Sequence, residues 1–443
     1  MSDFRVLADR LADAIAAGRL APGARLPPQR AYAYANGIAV STASRVYAEL
    51  VHRGLVTGEI GRGTYVRSRA ATPILAFAEP PPTAIDLERN YSILPGEVET
   101  LSGALAGLLR SDRLETLAGP VAATGHAEGR AIAARFFARP GWTPTPDRML
   151  FTGNGRQAVA AALAAIAPPG ERIGVEAMTY PVVKGIAARL GIVLVPIAMD
   201  GEGLCPESVA QAHRTTPLRG LYLQPSLHNP LGITMGGERR AAIAACLEAF
   251  GLLAVEDAIY GFLSDAAPLA ALAPDRVVFL DSLSKRVAPG LTLGLIATPP
   301  ALTDRVAHCV RSGGWGATGL PFGIGLHLMD SGEAARIGLA KRRDARSRQA
   351  LARDILGDLD VRGDPGAYHL WLVLPEAWRA ETFVAAAARR GIAVTPASAF
   401  AVHPGHAPNA VRLALASPPL DALATALRTL RQLAAGGDDR PVE

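Results

Sequence analysis

The chain has 443 residues, enough for two or three domains that each bury a core. Hydrophobic residues make up 49% and charged residues 19% of it, which excludes a disordered protein. The net charge of +5 is too small to indicate that the whole surface binds a polyanion.

Cysteine usage and hydropathy indicate the compartment. Cys205, Cys246 and Cys309 are widely spaced and form neither a metal-binding pattern nor a disulfide framework. The N-terminal residues contain no signal-peptide apolar run, and the alanine-rich runs are too short to span a bilayer. We therefore expect a soluble cytoplasmic protein with no membrane partner and no metal site.

The first seventy residues carry most of the excess positive charge, because residues 1–67 contain nine arginines against five acidic residues. Apolar spacing predicts a first helix that ends at Gly18 and a second that runs to Asn36. Ser41 is predicted to cap a third helix that reaches about Arg53. Two short strands, residues 55–57 and 64–66, follow around a Gly-Arg-Gly turn.

Three helices and a hairpin form the plan of a winged helix-turn-helix domain, whose third helix can enter a major groove. The alternative is a small helical cap with incidental arginines. The runs LPPQR (26–30), RGLV (53–56) and GRGTYV (61–66) resemble the DNA-binding domain of GntR-type bacterial regulators. Ala39 and Val40 stand in the turn where that family often has a polar or basic residue, which implies base readout there that is either weak or apolar. The resemblance and the outward side of the third helix imply DNA contacts from Arg30, Ser41, Thr42, Ser44, Arg45 and Arg62.

Residues 69–84 read as a linker that contains three consecutive prolines, although a long surface loop would have the same composition. The sequence thus predicts a DNA-binding domain at 1–68, the linker at 69–84 and a larger domain at 85–436. In the larger domain short apolar runs alternate with alanine-rich helical segments, which predicts an α/β fold with strands covered on both faces. Ligands of such folds bind beyond the carboxyl ends of the strands.

The polar residues that follow these runs are the candidates for a site. Gly153 to Gln157 open a helix whose free N–H groups suit a phosphate, although the same residues also make ordinary turns. Asp257 ends one strand, although an acidic pair there also caps helices. Lys285 follows another strand, between a serine and a Pro-Gly turn, and is one of only three lysines in the chain. A desolvated lysine can act as a nucleophile toward a carbonyl.

The order of these motifs resembles fold type I pyridoxal-phosphate enzymes of the class I aminotransferases, over roughly residues 85 to 430. That resemblance implies a mainly parallel central sheet with a small C-terminal α/β subdomain. It also implies that Lys285 forms the internal aldimine with pyridoxal 5'-phosphate and that Arg412 binds a ligand carboxylate. The residues implied to bind the cofactor are Asn154, Gly155, Arg156, Tyr180, Asn229, Asp257, Tyr260, Ser282, Ser284, Lys285 and Thr292.

Two positions depart from the aminotransferase pattern. Thr292 stands where the family usually has an arginine that contacts the phosphate, so Arg286 is a candidate to supply the missing charge. Leu231 replaces the usual threonine of the Asn-Pro-Thr-Gly run. Neither change removes the lysine chemistry.

The two halves together resemble the MocR group of bacterial regulators. This resemblance implies a head-to-tail homodimer that binds operator DNA and senses an amino compound through exchange at Lys285. Two alternatives stay open: an active aminotransferase with a vestigial DNA-binding domain, and a repressor that senses pyridoxal phosphate itself. The effector, the target operon and the direction of regulation do not follow from the residues.

Overall fold

The computed structural model describes residues 4–21, 23–53, 55–59, 63–66, 85–109, 117–139 and 141–436. The predicted linker, residues 69–84, and the predicted DNA contact Arg62 lie outside the described residues.

Three helices and one hairpin form the N-terminal domain, as the sequence predicts. The apolar faces of the helices enclose a small core around Leu7, Val46 and Leu50, each less than 5% exposed. The Tyr47 hydroxyl donates a hydrogen bond to the Pro27 carbonyl at 2.5 Å and ties the third helix to the chain before the second. The elements are α1 (Phe4–Ala16), α2 (Gln29–Ala35), α3 (Val40–His52), β1 (Val56–Glu59) and β2 (Gly63–Val66).

The start of α3 differs from the prediction. Its N-cap residue is Ala39, whose backbone is extended, and Ser41 lies inside the first turn. The Ala43 amide already donates to the Ala39 carbonyl at 3.1 Å, so the helical hydrogen bonds begin before Ser41. Ser41 is therefore exposed on the helix surface and makes no cap.

A seven-stranded sheet is the centre of the large domain. Its order is β4–β12–β11–β10–β9–β5–β6, and all strands are parallel except β12, which is antiparallel to both neighbours. Nearly every residue of its inner strands is buried, since helices cover both faces. The strands are β4 (Met149–Thr152), β5 (Arg172–Glu176), β6 (Val193–Ile197), β9 (Gly220–Leu223), β10 (Leu253–Asp257), β11 (Val277–Ser282) and β12 (Gly294–Ala297), with a separate hairpin of β7 (Met199–Asp200) and β8 (Gly203–Leu204).

Twelve α-helices in the described part of the large domain surround the sheet and complete the C-terminal subdomain. None of the described helices is long and apolar enough to cross a membrane. The helices are α4 (Glu97–Leu109), α5 (Ala127–Phe137), α6 (Gly155–Ile166), α7 (Pro181–Leu190), α8 (Pro206–Thr215), α9 (Gly237–Ala249), α10 (Leu283–Arg286), α11 (Thr303–Ser312), α12 (Gly319–Asp330), α13 (Glu333–Leu356), α14 (Ala380–Arg389) and α15 (Leu420–Ala434).

The C-terminal subdomain contains a four-stranded antiparallel sheet of order β13–β14–β17–β16. A separate parallel pair consists of β15 and β3, and β3 directly follows the linker region in the chain. The mainly parallel sheet and the small subdomain confirm the predicted fold class. The strands are β3 (Ile85–Asp86), β13 (Val361–Arg362), β14 (His369–Val373), β15 (Ile392–Ala393), β16 (Thr395–Pro396) and β17 (Ala410–Ala414).

The N-terminal domain contacts the subdomain through α1 and the loop before β17. The Asp13 carboxylate lies 3.0 Å from His406 Nε2. Arg53 pairs with Asp9 at 2.5 Å and donates a hydrogen bond to the Gly405 carbonyl at 3.2 Å. The same arginine thus links α1, α3 and the subdomain.

Gly294 lies where β12 passes close to the turn before α6. A Cβ at this position would lie 2.5 Å from the Asn154 carbonyl oxygen, a backbone atom that cannot rotate away. Gly294→Ala should therefore displace that turn and lower the free energy of unfolding by about 1–3 kcal/mol, the usual cost of overpacking. Denaturant unfolding measures this change.

Gly290→Ala is the matched control, because a Cβ at that nearby position meets nothing within 4 Å. Equal stability of the two variants would contradict the close approach at Gly294.

Candidate functional site

A cavity of ≈ 390 Å³ lies beyond the carboxyl ends of the parallel strands, between the sheet and the C-terminal subdomain. This is the position expected for a ligand site in such a sheet. Of the predicted residues, Ser282 does not line the cavity; its hydroxyl lies 2.6 Å from that of Ser284, which does. The predicted residues that line it are Asn154, Gly155, Arg156, Tyr180, Asn229, Asp257, Tyr260, Ser284, Lys285, Thr292 and Arg412.

Lys285 presents its amine to the cavity from the short helix α10, directly after β11. Its Nζ donates a hydrogen bond to the Asn90 carbonyl at 2.8 Å and lies 3.4 Å from the centre of the Tyr91 ring. Burial, and then the charges of Arg412, Arg156 and Lys341, lower the pKa of Lys285 well below its usual range. Since the neutral amine is the nucleophile, these surroundings favour attack on a carbonyl.

Asp257 ends β10 and is 7% exposed. The Tyr222 hydroxyl donates to its Oδ2 at 2.6 Å, and the Ile259 amide donates to its Oδ1 at 3.1 Å. Burial raises the pKa of Asp257 to about 6, although these two hydrogen bonds oppose the shift. A cationic ring nitrogen in contact with the carboxylate would favour its ionised form.

The N-terminus of α6 forms the opposite end of the cavity. The Asn154 side chain accepts from the Gln157 amide at 3.0 Å, so this residue caps the helix. A Cβ on Gly155 would meet the Ser282 side chain at 3.2 Å, which shows how closely the turn packs against β11. Arg156 lies in the same turn, and the neighbouring Tyr180 and Tyr91 hydroxyls raise the pKa of its guanidinium against the effect of burial. Helix N–H groups, serine hydroxyls and a guanidinium together suit a phosphate.

Arg412, on β17, is 6% exposed and reaches the cavity from the subdomain. It donates to Asn229 Oδ1 and to Thr395 Oγ1, both at 3.2 Å, and to the Glu88 carbonyl. Its Nε has no hydrogen-bond partner among the described residues. A guanidinium held in this way can exchange its neutral partners for a carboxylate.

The two predicted aromatic contacts differ in their partners. Tyr180 is the N-cap residue of α7, and Arg156 opposes the rise that burial causes in the pKa of its hydroxyl. The Tyr260 hydroxyl accepts from Asn90 Nδ2 at 3.1 Å. Burial raises the pKa of both phenols, so both hydroxyls are protonated donors at neutral pH.

Arg286 does not supply the charge that is missing at Thr292. Its guanidinium donates to Asp281 Oδ2 at 2.6 Å and lies near the rings of Phe136 and Phe262, away from the cavity lining. Thr292 offers a neutral hydrogen bond, which contributes roughly 1 kcal/mol where a charged partner contributes about 1.5–3 kcal/mol. Arg156, in the first turn of α6, is therefore the cationic side chain that lies at the helix N-terminus suited to the phosphate.

Sequence reasoning missed the segment Glu88–Tyr91, which lines the cavity between β3 and α4. It contributes mostly backbone carbonyls, which carry no motif, and it precedes the first large-domain strand of the sheet by some sixty residues in the chain. Gln224 was also missed. Its position just after β9, beside the Asn-Pro run, was the available signal, and its Nε2 has no partner among the described residues.

The predicted DNA-contact residues that are described lie on α2 and α3. Arg30, Ser41, Ser44 and Arg45 are exposed, whereas Thr42 is half-buried. The Arg45 guanidinium lies 4.1 Å from the centre of the Phe4 ring, so α1 orients it. Their DNA contacts stay a prediction.

Comparison with known proteins identifies both parts of the chain. Residues 112–430 match the family of class I and II aminotransferases, and residues 5–66 match the bacterial regulatory proteins of the gntR family. YdeF of Bacillus subtilis strain 168, an uncharacterized HTH-type transcriptional regulator, is 30% identical over 97% of this chain and 94% of its own length. The chain belongs to the class I and II aminotransferase family and contains a gntR-family domain, a combination consistent with the MocR type.

Other MocR-like relatives and solved aminotransferases agree with this assignment. The pyridoxine biosynthesis regulator PdxR of Corynebacterium glutamicum is 26% identical over 88% of this chain and 87% of its own length. An archaeal alanine:glyoxylate aminotransferase matches the fold with a TM-score of 0.73 at 21% identity, covering 80% of this chain and 91% of its own. The kynurenine aminotransferase of Pyrococcus horikoshii also has a TM-score of 0.73, at 19% identity, covering 84% and 95%.

Pyridoxal phosphate is the cofactor expected of this fold, and the residues present fit it. The cavity brings together the desolvated amine of Lys285, the buried carboxylate at the end of β10 and the N-terminus of α6, which follows β4. It also contains buried donors without described partners, on Gln224 and Arg412. Lys285, Asp257, Arg156 and Ser284 are the side chains that would hold the cofactor.

The raised pKa of Asp257 predicts a pH effect on the cofactor-free protein. Its contribution to the free energy of unfolding is fully present below the ordinary pKa of 3.8 and is lost as the pH rises through about 6. Asp257→Asn cannot ionise, so the variant should gain about 3 kcal/mol relative to wild type over this window. Denaturant unfolding of both proteins across the window measures the difference.

Tyr222→Phe provides a second comparison, because it removes a hydrogen bond that favours the Asp257 carboxylate. The window should move to higher pH in this variant. A free-energy difference between Asp257→Asn and wild type that does not change with pH would contradict the assignment.

Proposed function

We propose that this protein is a transcriptional regulator that binds operator DNA and responds to an amino compound at a pyridoxal-phosphate site built on Lys285. The observation that carries the proposal is that the desolvated Lys285 amine and Arg412 line the same cavity. The chain that contains this cavity also has a GntR-type domain. Pyridoxal phosphate would supply an aldehyde carbon to which either Lys285 or a ligand amine can bond.

Each of these lining residues would have a separate role in holding the cofactor or the effector. Burial keeps a neutral fraction of the Lys285 amine available, and the Asn90 carbonyl orients it. Asp257 would hold a protonated ring nitrogen, while the α6 N-terminus and Arg156 would hold the phosphate. Arg412 would bind the effector carboxylate in place of its present partner, the Glu88 carbonyl. The effector class that fits is an amine with a carboxylate or a similar anion.

Regulation requires that the effector stabilise one arrangement of the two domains more than the other. The segment from β3 to Tyr91 is a candidate to carry that difference. It supplies the carbonyls that Lys285 and Arg412 hold, and it follows the linker region directly in the chain. An effector that binds Lys285 and Arg412 would release the segment from its hydrogen bonds to these two side chains.

A head-to-tail homodimer is part of the proposal, as the family resemblance implies. Helix α4 supports it with three exposed apolar residues on one side: Val98 is 64% exposed, Leu105 40% and Leu109 63%. Their spacing of seven and then four residues places them on one face of the helix. Apolar stripes of this kind are typical of surfaces that another chain covers.

Two other functions are supported by specific observations. The lysine, carboxylate and arginine in the cavity lining favour an active aminotransferase. The neutral Thr292 favours weak cofactor binding and a repressor that senses pyridoxal phosphate itself.

The test uses DNA from upstream of the protein's own gene and its neighbours. An amine-dependent change in binding supports the proposal. Rapid, complete amino transfer with no change in DNA binding contradicts it, and a response to the cofactor without any amine favours the third function.

Lys285→Ala should remove the absorbance of cofactor bonded to the protein, because no other residue that lines the cavity has an ε-amino group. Borohydride reduction followed by mass measurement checks the same bond independently. Lys184→Ala is the control, since that amine is held by the carbonyls of Ala399 and Ala401. A cofactor still trapped on a lysine of Lys285→Ala would show that a different lysine carries it.

Arg45→Ala should weaken operator binding by about 1–3 kcal/mol and leave the cofactor absorbance intact. The residue is exposed on α3, far in the chain from every cavity residue. Arg346→Ala, an exposed arginine of the large domain, controls for the loss of one surface charge. DNA binding equal to that of the control would refute the proposed role of α3. A fluorescence anisotropy titration at fixed salt gives both affinities.

A further inference from the structure

Lys341 is a buried lysine that the proposed function does not use. It lies on α13 and is 0% exposed. Its ammonium donates to the Val287 carbonyl at 2.6 Å and to the Ser92 carbonyl at 2.7 Å, and it lies 3.4 Å from the Lys285 carbonyl. The Glu97 carboxylate is 3.4 Å away and forms an ion pair with it. All three N–H donors therefore have an acceptor.

Burial of an ammonium is costly unless it is paired and fully hydrogen-bonded. An apolar side chain of similar length, such as methionine, would fill the same volume without that cost. What an apolar residue cannot do is hold several carbonyl oxygens at one point. The function of Lys341 should therefore follow from which carbonyls it holds.

The three carbonyls come from two pieces of chain that meet at Lys285. Lys285 and Val287 belong to the turn that carries the cavity amine, and Ser92 follows the segment Glu88–Tyr91. In that segment the Asn90 carbonyl accepts from Lys285 Nζ at 2.8 Å. The Lys341 ammonium thus connects the backbone around Lys285 to the segment that the Lys285 side chain contacts.

We propose that Lys341 is a positioning residue that holds the Lys285 turn in register with the segment Asn90–Ser92. It acts on a bound cofactor only through Lys285, since it does not line the cavity. The inference rests on the proposed function in one respect, namely that pyridoxal phosphate bonds to Lys285.

Charge adds a second effect to this geometry. The Lys341 cation disfavours a proton on the Lys285 nitrogen and contributes to the lowered pKa of that residue. Glu97 partly offsets the cation, because its carboxylate forms an ion pair with the ammonium at 3.4 Å, and it does not itself line the cavity. Asp344 also acts on Lys341. The other titratable or charged side chains that line the cavity around Lys285 are Glu88, Arg89, Tyr91, Arg156, Tyr180, Asp257, Tyr260, Asp281 and Arg412.

The test is a pH titration of the absorbance of the cofactor-loaded, full-length protein. Lys341→Met removes the charge and the donors, so the protonation midpoint of the lysine–cofactor nitrogen should rise by about one pH unit. Lys341→Arg keeps the charge and the donors and should return the midpoint toward that of wild type. Glu97→Gln leaves Lys341 uncompensated and should lower the midpoint. The two charge-removing variants thus shift it in opposite directions.

Lys184→Met is the matched control, because it also removes a lysine that holds two backbone carbonyls, and its midpoint should equal that of wild type. A Lys341→Met midpoint that moves no more than this control overturns the inference. So do equal or same-direction shifts in Lys341→Met and Glu97→Gln. If Lys341→Met does not fold, Glu97→Gln decides alone, since an unchanged or raised midpoint contradicts the proposal.

Failure of this inference is distinguishable from failure of the proposed function. A cofactor that is trapped on Lys285 in wild type but shows no response to these variants refutes only the role of Lys341. A cofactor that never bonds to Lys285 refutes the proposed function.

Discussion

The desolvation of the Lys285 amine is the constraint on which the site depends. A lysine on the surface would be protonated and unreactive, whereas burial beside three other cations leaves a neutral fraction. The strand ends of the parallel sheet make this possible, because they bring residues that are distant in the chain into one enclosed space. The same burial raises the pKa of Asp257, so the cavity pairs an amine of weakened basicity with a carboxyl group of weakened acidity.

Cationic side chains outnumber acidic ones in the lining of this enclosed space by four, Arg89, Arg156, Lys285 and Arg412, to three, Glu88, Asp257 and Asp281. Lys285, Arg156 and Arg412 line it, and the α6 N-terminus adds a partial charge of the same sign. Backbone carbonyls of the segment Glu88–Tyr91 satisfy two of these side chains. A carbonyl is a weaker partner for a cation than a phosphate or a carboxylate is. The cavity therefore favours anionic ligands over the neutral groups that occupy its donors, which agrees with a site that exchanges partners when its ligands bind.

Most of the site could be predicted from the sequence because each strand end carries its own short motif. Asn229, Asp257 and Lys285 each follow an apolar run, so the fold class and the cavity residues emerged together. The segment before α4 could not be found in this way, because it contributes backbone atoms that any residue type provides. Lys341 was missed because it lies within a long polar helix, where nothing local distinguishes a buried lysine from a solvated one.

Local chemistry also explains the smaller errors. Serine is a common helix cap, but the Ala43 amide, from which a Ser41 cap would accept, already donates to the Ala39 carbonyl. Arg286 was a reasonable source of charge for the phosphate by its place in the chain. Its side chain instead forms an ion pair with Asp281 at 2.6 Å, and the direction of a side chain does not follow from its position in the sequence.

The scarcity of lysine has a practical consequence for chemical labelling. All three lysines of the chain lie in its described part, and each is held by at least one backbone carbonyl rather than exposed to solvent. Aldehydes normally form adducts with many surface amines of a protein, which obscures binding stoichiometry. In this chain such background is limited to few amines, of which the half-buried Lys184 is one, with a pKa that burial lowers to about 8. Uptake of pyridoxal phosphate that wild type shows and Lys285→Ala lacks can therefore be counted as occupancy of a single internal amine.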